Sequence, residues 1–105
     1  AFPVWLSPVQ TIIIPIADRH IGYAHKIESD FKNEGIRAQV DGRSQRMNLK
    51  IREAQLEKVP YMLIVGDKEM ASSSVSLRLR SGEDQGLETV IQVKSRIRTA
   101  IEAKS

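Results

Sequence analysis

"YMLIVGDKEMASSSVSLRLR", residues 61–80, decides how this chain folds. Tyr61-Met62-Leu63-Ile64-Val65 is an unbroken apolar run of the length of one strand, the pattern of a strand covered on both faces. Gly66-Asp67 reads as a turn. From Ser74 to Arg80 the residues alternate, with Val75, Leu77 and Leu79 on one face and Ser76, Arg78 and Arg80 on the other. The stretch also sets a chemical question. An acid, Glu69, follows the buried strand, and two arginines, Arg78 and Arg80, stand on the next one. They form a surface ion pair, or together they grip something planar and polar.

Working outward, "VQTIIIPIA" (Val9 to Ala17) is β-branched and nearly continuous, an interior strand whose regular pairing ends at Pro15. Asp18 is placed to cap a helix running to about Glu34, with Gly35 as its stop; Ile21, Ala24, Ile27 or Glu28, and Phe31 give that helix a core-facing stripe. "IRAQV" (Ile36 to Val40) is a short strand, and Asp41-Gly42 turns the chain. A second helix covers roughly Gln45 to Lys58, with Met47, Ile51 and Ala54 on one side and Leu49 and Leu56 on another; Val59-Pro60 breaks it. Beyond residue 80, Ser81-Gly82 turns the chain, Gln85–Glu88 can close the sheet, and a helix from Thr89 to about Ala103 buries Val90, Val93, Ile97, Ala100 and Ile101. Strands separated by helices pair in parallel and the late hairpin pairs antiparallel, so the fold class is α/β, a mixed sheet flanked by helices.

The segment "AFPVWLSP" differs in kind. Two prolines flank Trp5 in a stretch expected to be neither helix nor central strand, and it reads as a connector. Trp5 is expected to pack at a domain junction.

At 105 residues the chain is one domain, large enough to bury about two-thirds of its unfolded surface. It has no cysteine, which removes disulfides and thiolate metal sites and fits a reducing, cytoplasmic setting. The apolar runs fall far short of a membrane span, and the first residues lack the basic start and apolar middle of a signal peptide. The net charge of +3 is unevenly spread. Residues 43–58 hold Arg43, Arg46, Lys50, Arg52 and Lys58 against Glu53 and Glu57, and this one segment carries almost all the excess. Such local density suits a phosphate backbone or, more simply, a solvated helix face.

Signatures of catalysis are poor. His20 and His25 do not share a helical face, no carboxylate cluster completes a metal site, and both read as surface residues. No nucleophile elbow, phosphate loop or dinucleotide fingerprint occurs, and Ser72, Ser73, Ser74 and Ser76 look like hairpin filler. Glu69 and Arg78 carry more. Arginine offers a fork of donors and a carboxylate offers two acceptors. Guanine has the matching set: O6 and N7 accept, while N1–H and the exocyclic amine donate. A duplex hides the N1 and amine edge, so a reader of both edges takes an unpaired base, as single-stranded RNA loops provide.

The residues "FPVWLSPVQ" (2–10), "KIREAQLEKVPYMLIVGDKE" (50–69) and "VSLRLRSGEDQG" (75–86), at this spacing, resemble the C-terminal anticodon-binding domain of threonyl-tRNA synthetase over essentially the whole chain. The resemblance implies a mixed five-stranded sheet flanked by three helices, with residues 1–8 as the connector from a missing catalytic domain and 9–105 as the anticodon-binding domain. It implies that the partner is the anticodon loop of tRNA(Thr), with guanine and uracil as second and third bases. Glu69 and Arg78 would read the guanine. Ser44 and Lys58, with Arg43 and Arg80, would belong to the same RNA-facing surface. Many members have asparagine and arginine where this chain has Ser44 and Lys58; a hydroxyl cannot make an amide's paired contact, and lysine is a point charge rather than a fork. ATP, magnesium and zinc would serve the catalytic domain, leaving no cofactor, metal or catalytic residue here. The parent ligase would be a homodimer; the chain alone is compatible with a monomer. Two rivals are a protein-interaction or accessory-subunit module on the same fold, and a small-molecule enzyme using the carboxyl edge of the sheet.

Overall fold

The strands of the computed structural model, which describes residues 3–104, form one mixed sheet. Ala1 and Phe2, part of the expected connector, and Ser105 lie outside the described residues. In chain order the strands are β1 Thr11–Pro15, β2 Ala38–Val40, β3 Tyr61–Val65, β4 Ser74–Leu79 and β5 Asp84–Thr89; the helices are α1 Ile21–Asn33, α2 Met47–Leu56, α3 Asp67–Ala71 and α4 Val90–Glu102. Across the sheet the order is β2-β1-β3-β4-β5. β1 pairs in parallel with β2 and β3 because helices connect them, and the hairpins after β3 add β4 and β5 antiparallel.

The two faces of the sheet are covered unequally. On one, Ile13, Leu63, Val65, Val75 and Leu77 pack with Ala24, Ile27 and Phe31 of α1 and Val93 and Ile97 of α4. On the other, α2 lays Ile51 and Ala54 over Ile14, Met62 and Ile64. The second face stays open beyond β3, so Ser76 and Arg78 of β4 are only half-buried. Leu49 and Leu56 turn outward on α2 and remain exposed.

Both connecting helices end in a Schellman turn. In α1 the N–H of Ile36 reaches Phe31 O and that of Gly35 reaches Lys32 O; in α2 Val59 reaches Ala54 O and Lys58 reaches Gln55 O, each at 3.0 Å. The left-handed residue is Gly35 (φ 78°) in the first and Lys58 (φ 60°) in the second. Lysine is strained where glycine is not.

Four features depart from expectation. Residues 67–71 form the short helix α3, not a bare turn, so three long helices are joined by a fourth of five residues. The first helix is not capped by Asp18, which sits in a 3-10 turn, Asp18–His20, and the Ala17 N–H instead donates to His20 Nδ1 at 3.1 Å. His20 is not on the surface but almost fully buried. Its Nε2–H meets Asp67 Oδ1 at 2.6 Å, a partner 47 residues away that local sequence cannot reveal. Last, Val4–Leu6 forms one 3-10 turn, tied down by Arg37, which donates to Trp5 O at 2.7 Å and Ser7 O at 2.9 Å. Trp5 is partly exposed, with Lys104 Nζ 5.4 Å from its ring centre.

Candidate nucleic-acid interface

The open half of the sheet is built around Glu69. Its carboxylate is buried, 8% exposed, and folds back on its own helix, where Oε1 accepts the N–H of Gly66 at 2.8 Å. This is one arm of a capping box. Oε2 accepts the hydroxyl of Ser76 on β4 at 2.9 Å. The close approach needs a residue without a side chain at 66: a Cβ there would lie 3.1 Å from Glu69 Oε1 and 2.7 Å from Ile16 Cδ1. Five residues cannot hold a helix alone, and α3 is moored from outside. Arg19 donates to both Asp67 oxygens at 2.9 and 2.7 Å, and His20 holds Oδ1. These two partners hold the Asp67 carboxyl well below the usual carboxylate range. Tyr23 adds a third mooring, its hydroxyl lying 3.3 Å from Glu69 O of α3 while it donates to Ser74 O of β4 at 2.7 Å; burial, and then the Glu69 charge, raise its pKa.

Ser76 is two residues from Arg78, so both side chains leave the same face of β4, about 7 Å apart. Glu69 and Arg78 are therefore neighbours that do not join each other. The nearest carboxylate to Arg78 is Asp84 of β5, at 3.7 Å, beyond a good hydrogen bond. The Arg78 Nε–H is buried and meets no hydrogen-bond partner among the described residues. An orphaned buried donor costs about 1–3 kcal/mol, which any acceptor placed there recovers. Across from this strand a bulge sets Gln85 between the paired residues Asp84 and Gly86, and Gly86 takes φ 78°. Leu87 pairs with Ser76 and stays exposed, and Ile16 is exposed beside Gly66, so apolar groups border the polar pair.

The other expected residues fall at the two ends of this face. Ser44 lines a cleft of about 90 Å³ with Ile16, Gly42 and Gln45, near the Glu69 end. Lys58 precedes β3 and Gly66 follows it, so a strand length of about 16 Å separates them. Arg80 lies at the Lys58 end, its N–H donating to Pro60 O at 3.1 Å. Arg43 is engaged elsewhere: its guanidinium holds both oxygens of Asp41 at 2.9 and 2.8 Å and Glu53 at 3.0 Å. Arg43 keeps the Asp41 carboxyl below its usual range and is itself pushed up by those carboxylates.

The basic segment thus divides. Arg43 is paired, and Lys50 is buried with Nζ on Asp41 O at 2.9 Å. Arg46, Arg52 and Lys58 are exposed and make no ion pair or side-chain hydrogen bond with the described residues. On α4, by contrast, Lys94, Arg96 and Arg98 all meet carboxylates. Unneutralised positive charge therefore runs along α2 and its two ends, beside the open face, with Lys26 on α1 and Lys68 on α3 also exposed and without an ion pair to the described residues. Among the described residues no cluster of three His, Asp or Glu side chains could hold a metal, and no helix is long and apolar enough to cross a membrane.

Ser76 was missed as filler, although it shares the polar face of Arg78; only the fold brings Glu69 to it. Ile16 and Leu87 gave no signal beyond being apolar.

The family described as "Anticodon binding domain" matches residues 10–100. The chain belongs to this family. Along all 105 residues it is 52% identical to a threonine–tRNA ligase of Dehalococcoides mccartyi, of which it spans 18%. The crystal structure of the RNA-binding domain of threonyl-tRNA synthetase from Cryptosporidium parvum superposes with a TM-score of 0.86 at 32% identity, over 93% of this chain and 25% of that one. Histidyl-tRNA synthetase from Nostoc shares the fold, with a TM-score of 0.81 at 17% identity over 88% of this chain and 22% of that one. Within the anticodon-binding domains, this one is of the threonyl-tRNA synthetase type.

Proposed function

We propose that this domain grips the anticodon loop of tRNA(Thr) for a threonine–tRNA ligase and reads an unpaired guanine between Glu69 and Arg78. One observation carries the reading: Arg78, whose Nε–H meets no partner among the described residues, stands on the same sheet face as a fixed carboxylate, and the two do not neutralise each other. Arg78 would take O6 and N7, and Glu69 the N1–H and amine, leaving adenine with an acceptor facing the carboxylate. Ile16 and Leu87 would flank the base. Arg46, Arg52 and Lys58 would meet phosphates, with Arg80 and Ser44 at the two ends of the surface. Arg43 would serve it indirectly, by bracing the loop that presents Ser44.

The relatives are longer, so residues 1–8 would lead in from a catalytic domain that uses ATP, magnesium and zinc, in a homodimeric cytoplasmic enzyme. The protein-interaction reading is not favoured, because the free charge of Arg46, Arg52 and Lys58, along α2 and at its ends, suits phosphate better than an apolar partner. The test is competition binding of RNA hairpins with guanine or adenine at the second anticodon position. Arg78→Ala should lower the guanine-to-adenine preference at least tenfold. Lys58→Ala should weaken both hairpins alike and flatten the salt dependence. An unchanged preference in Arg78→Ala would overturn the assignment.

A further inference from the structure

Both Glu69 oxygens are already in use, and by donors of different standing. The Gly66 N–H belongs to the same turn as Glu69, three residues before it, so that bond moves with α3. The Ser76 hydroxyl belongs to β4, the strand that carries Arg78. Each carboxylate oxygen retains one further acceptor position. The bond from Ser76 therefore fixes the plane of those remaining acceptors relative to the guanidinium.

The other serines of the hairpin do something else. Ser72 Oγ donates to Lys68 O at 2.9 Å and lies 2.6 Å from Ser74 Oγ, so that pair closes the α3–β4 turn on itself. Ser76 alone of the four spans from β4 to the carboxylate.

We infer that Ser76 is a positioning residue for base specificity: it aligns Glu69 with the N1 and amine edge of guanine while leaving the Arg78 side of the base untouched. The inference rests on the guanine reading above and adds a residue to it. It makes the two edges of the base separable. Inosine differs from guanine only in lacking the exocyclic amine, which faces Glu69. 7-Deazaguanine lacks N7, which faces Arg78.

The test measures binding of three RNA hairpins, with guanine, inosine or 7-deazaguanine at one loop position, to the wild type and to Ser76→Ala, Ser76→Val, Ser76→Thr and Glu69→Gln. Valine and threonine match in shape and strand preference and differ in the hydroxyl, so a folding defect common to both is told apart from a lost bond. Ser76→Ala and Ser76→Val should lower the guanine-to-inosine ratio about tenfold, the worth of one hydrogen bond to a charged group. Ser76→Thr should restore it, and the guanine-to-7-deazaguanine ratio should hold throughout. If Glu69→Gln loses the inosine ratio and Ser76→Val keeps it, the role given to Ser76 is wrong and the guanine reading stands. If Ser76→Val lowers both ratios together, its role is structural and the inference is also wrong. If Glu69→Gln changes neither ratio, the guanine reading fails and the inference with it.

Discussion

Two acid–base couples in this domain are treated in opposite ways. Asp41 and Arg43 are two residues apart and close on each other, with Nε and a terminal nitrogen each on one carboxylate oxygen. Glu53 completes the arginine, and the buried Lys50 holds the backbone of Asp41. Glu69 and Arg78 lie on one face of the sheet and stay apart. The acid is held by two neutral donors, and the base faces Asp84 only at 3.7 Å with one N–H unmet. The first couple is already matched within the protein and ties the loop after β2 to α2. The second keeps the acceptors and donors that a base edge requires. Charge in the sequence is therefore a poor guide to the site; what matters is whether the fold has already answered it.

The largest effect expected from breaking this contrast is on stability. Asp41→Ala removes the buried carboxylate that Arg43 grips, leaving Arg43 on Glu53 alone and Lys50 on a backbone carbonyl that alanine keeps. It should lower the unfolding free energy by about 2 kcal/mol in urea titration. The guanine preference should survive in the folded fraction. Glu69→Gln should do the reverse. Its amide keeps an acceptor for Gly66 and the stability within about 1 kcal/mol of wild type, yet the guanine-to-adenine ratio should drop about tenfold.

A smaller effect concerns the mooring of α3. Because Arg19 and His20 hold the folded Asp67 carboxyl below its usual range, its contribution is present above about pH 4 and lost as the pH falls through the folded value. Wild type should therefore lose stability on acidification more steeply than Asp67→Asn, as thermal melts across pH 2–5 would register. The smallest change is at the strained turn. Lys58→Gly relieves a left-handed lysine and should raise stability by about 0.5–1 kcal/mol while weakening RNA binding, whereas Lys58→Ala weakens binding without that gain.

Most of the sheet is legible in the chain because strands and long helices write their own periods. The run at 61–65 and the alternation at 74–79 gave β3 and β4, and the α1, α2 and α4 stripes follow from three-and-four spacing. α3 hid behind its neighbours. "DKEMA" is made largely of good helix formers, but Gly66-Asp67 on one side and four serines on the other read as a loop. His20 could not be placed from sequence, since its burial depends on Asp67 across the fold. Glu69 and Arg78 were legible as chemistry. Their separation, with Ser76 between acid and strand, was not, because it depends on which way α3 turns at the C-terminal end of β3.

Nuclear magnetic resonance of the Arg78 Nε–H and the Gly66 amide, during titration with the guanine and adenine hairpins, reads both sides of the pocket at once. Guanine should shift the two signals along one binding curve, and adenine should leave both nearly in place. Movement of only one of them, or equal movement with both RNAs, would contradict a base held between Glu69 and Arg78.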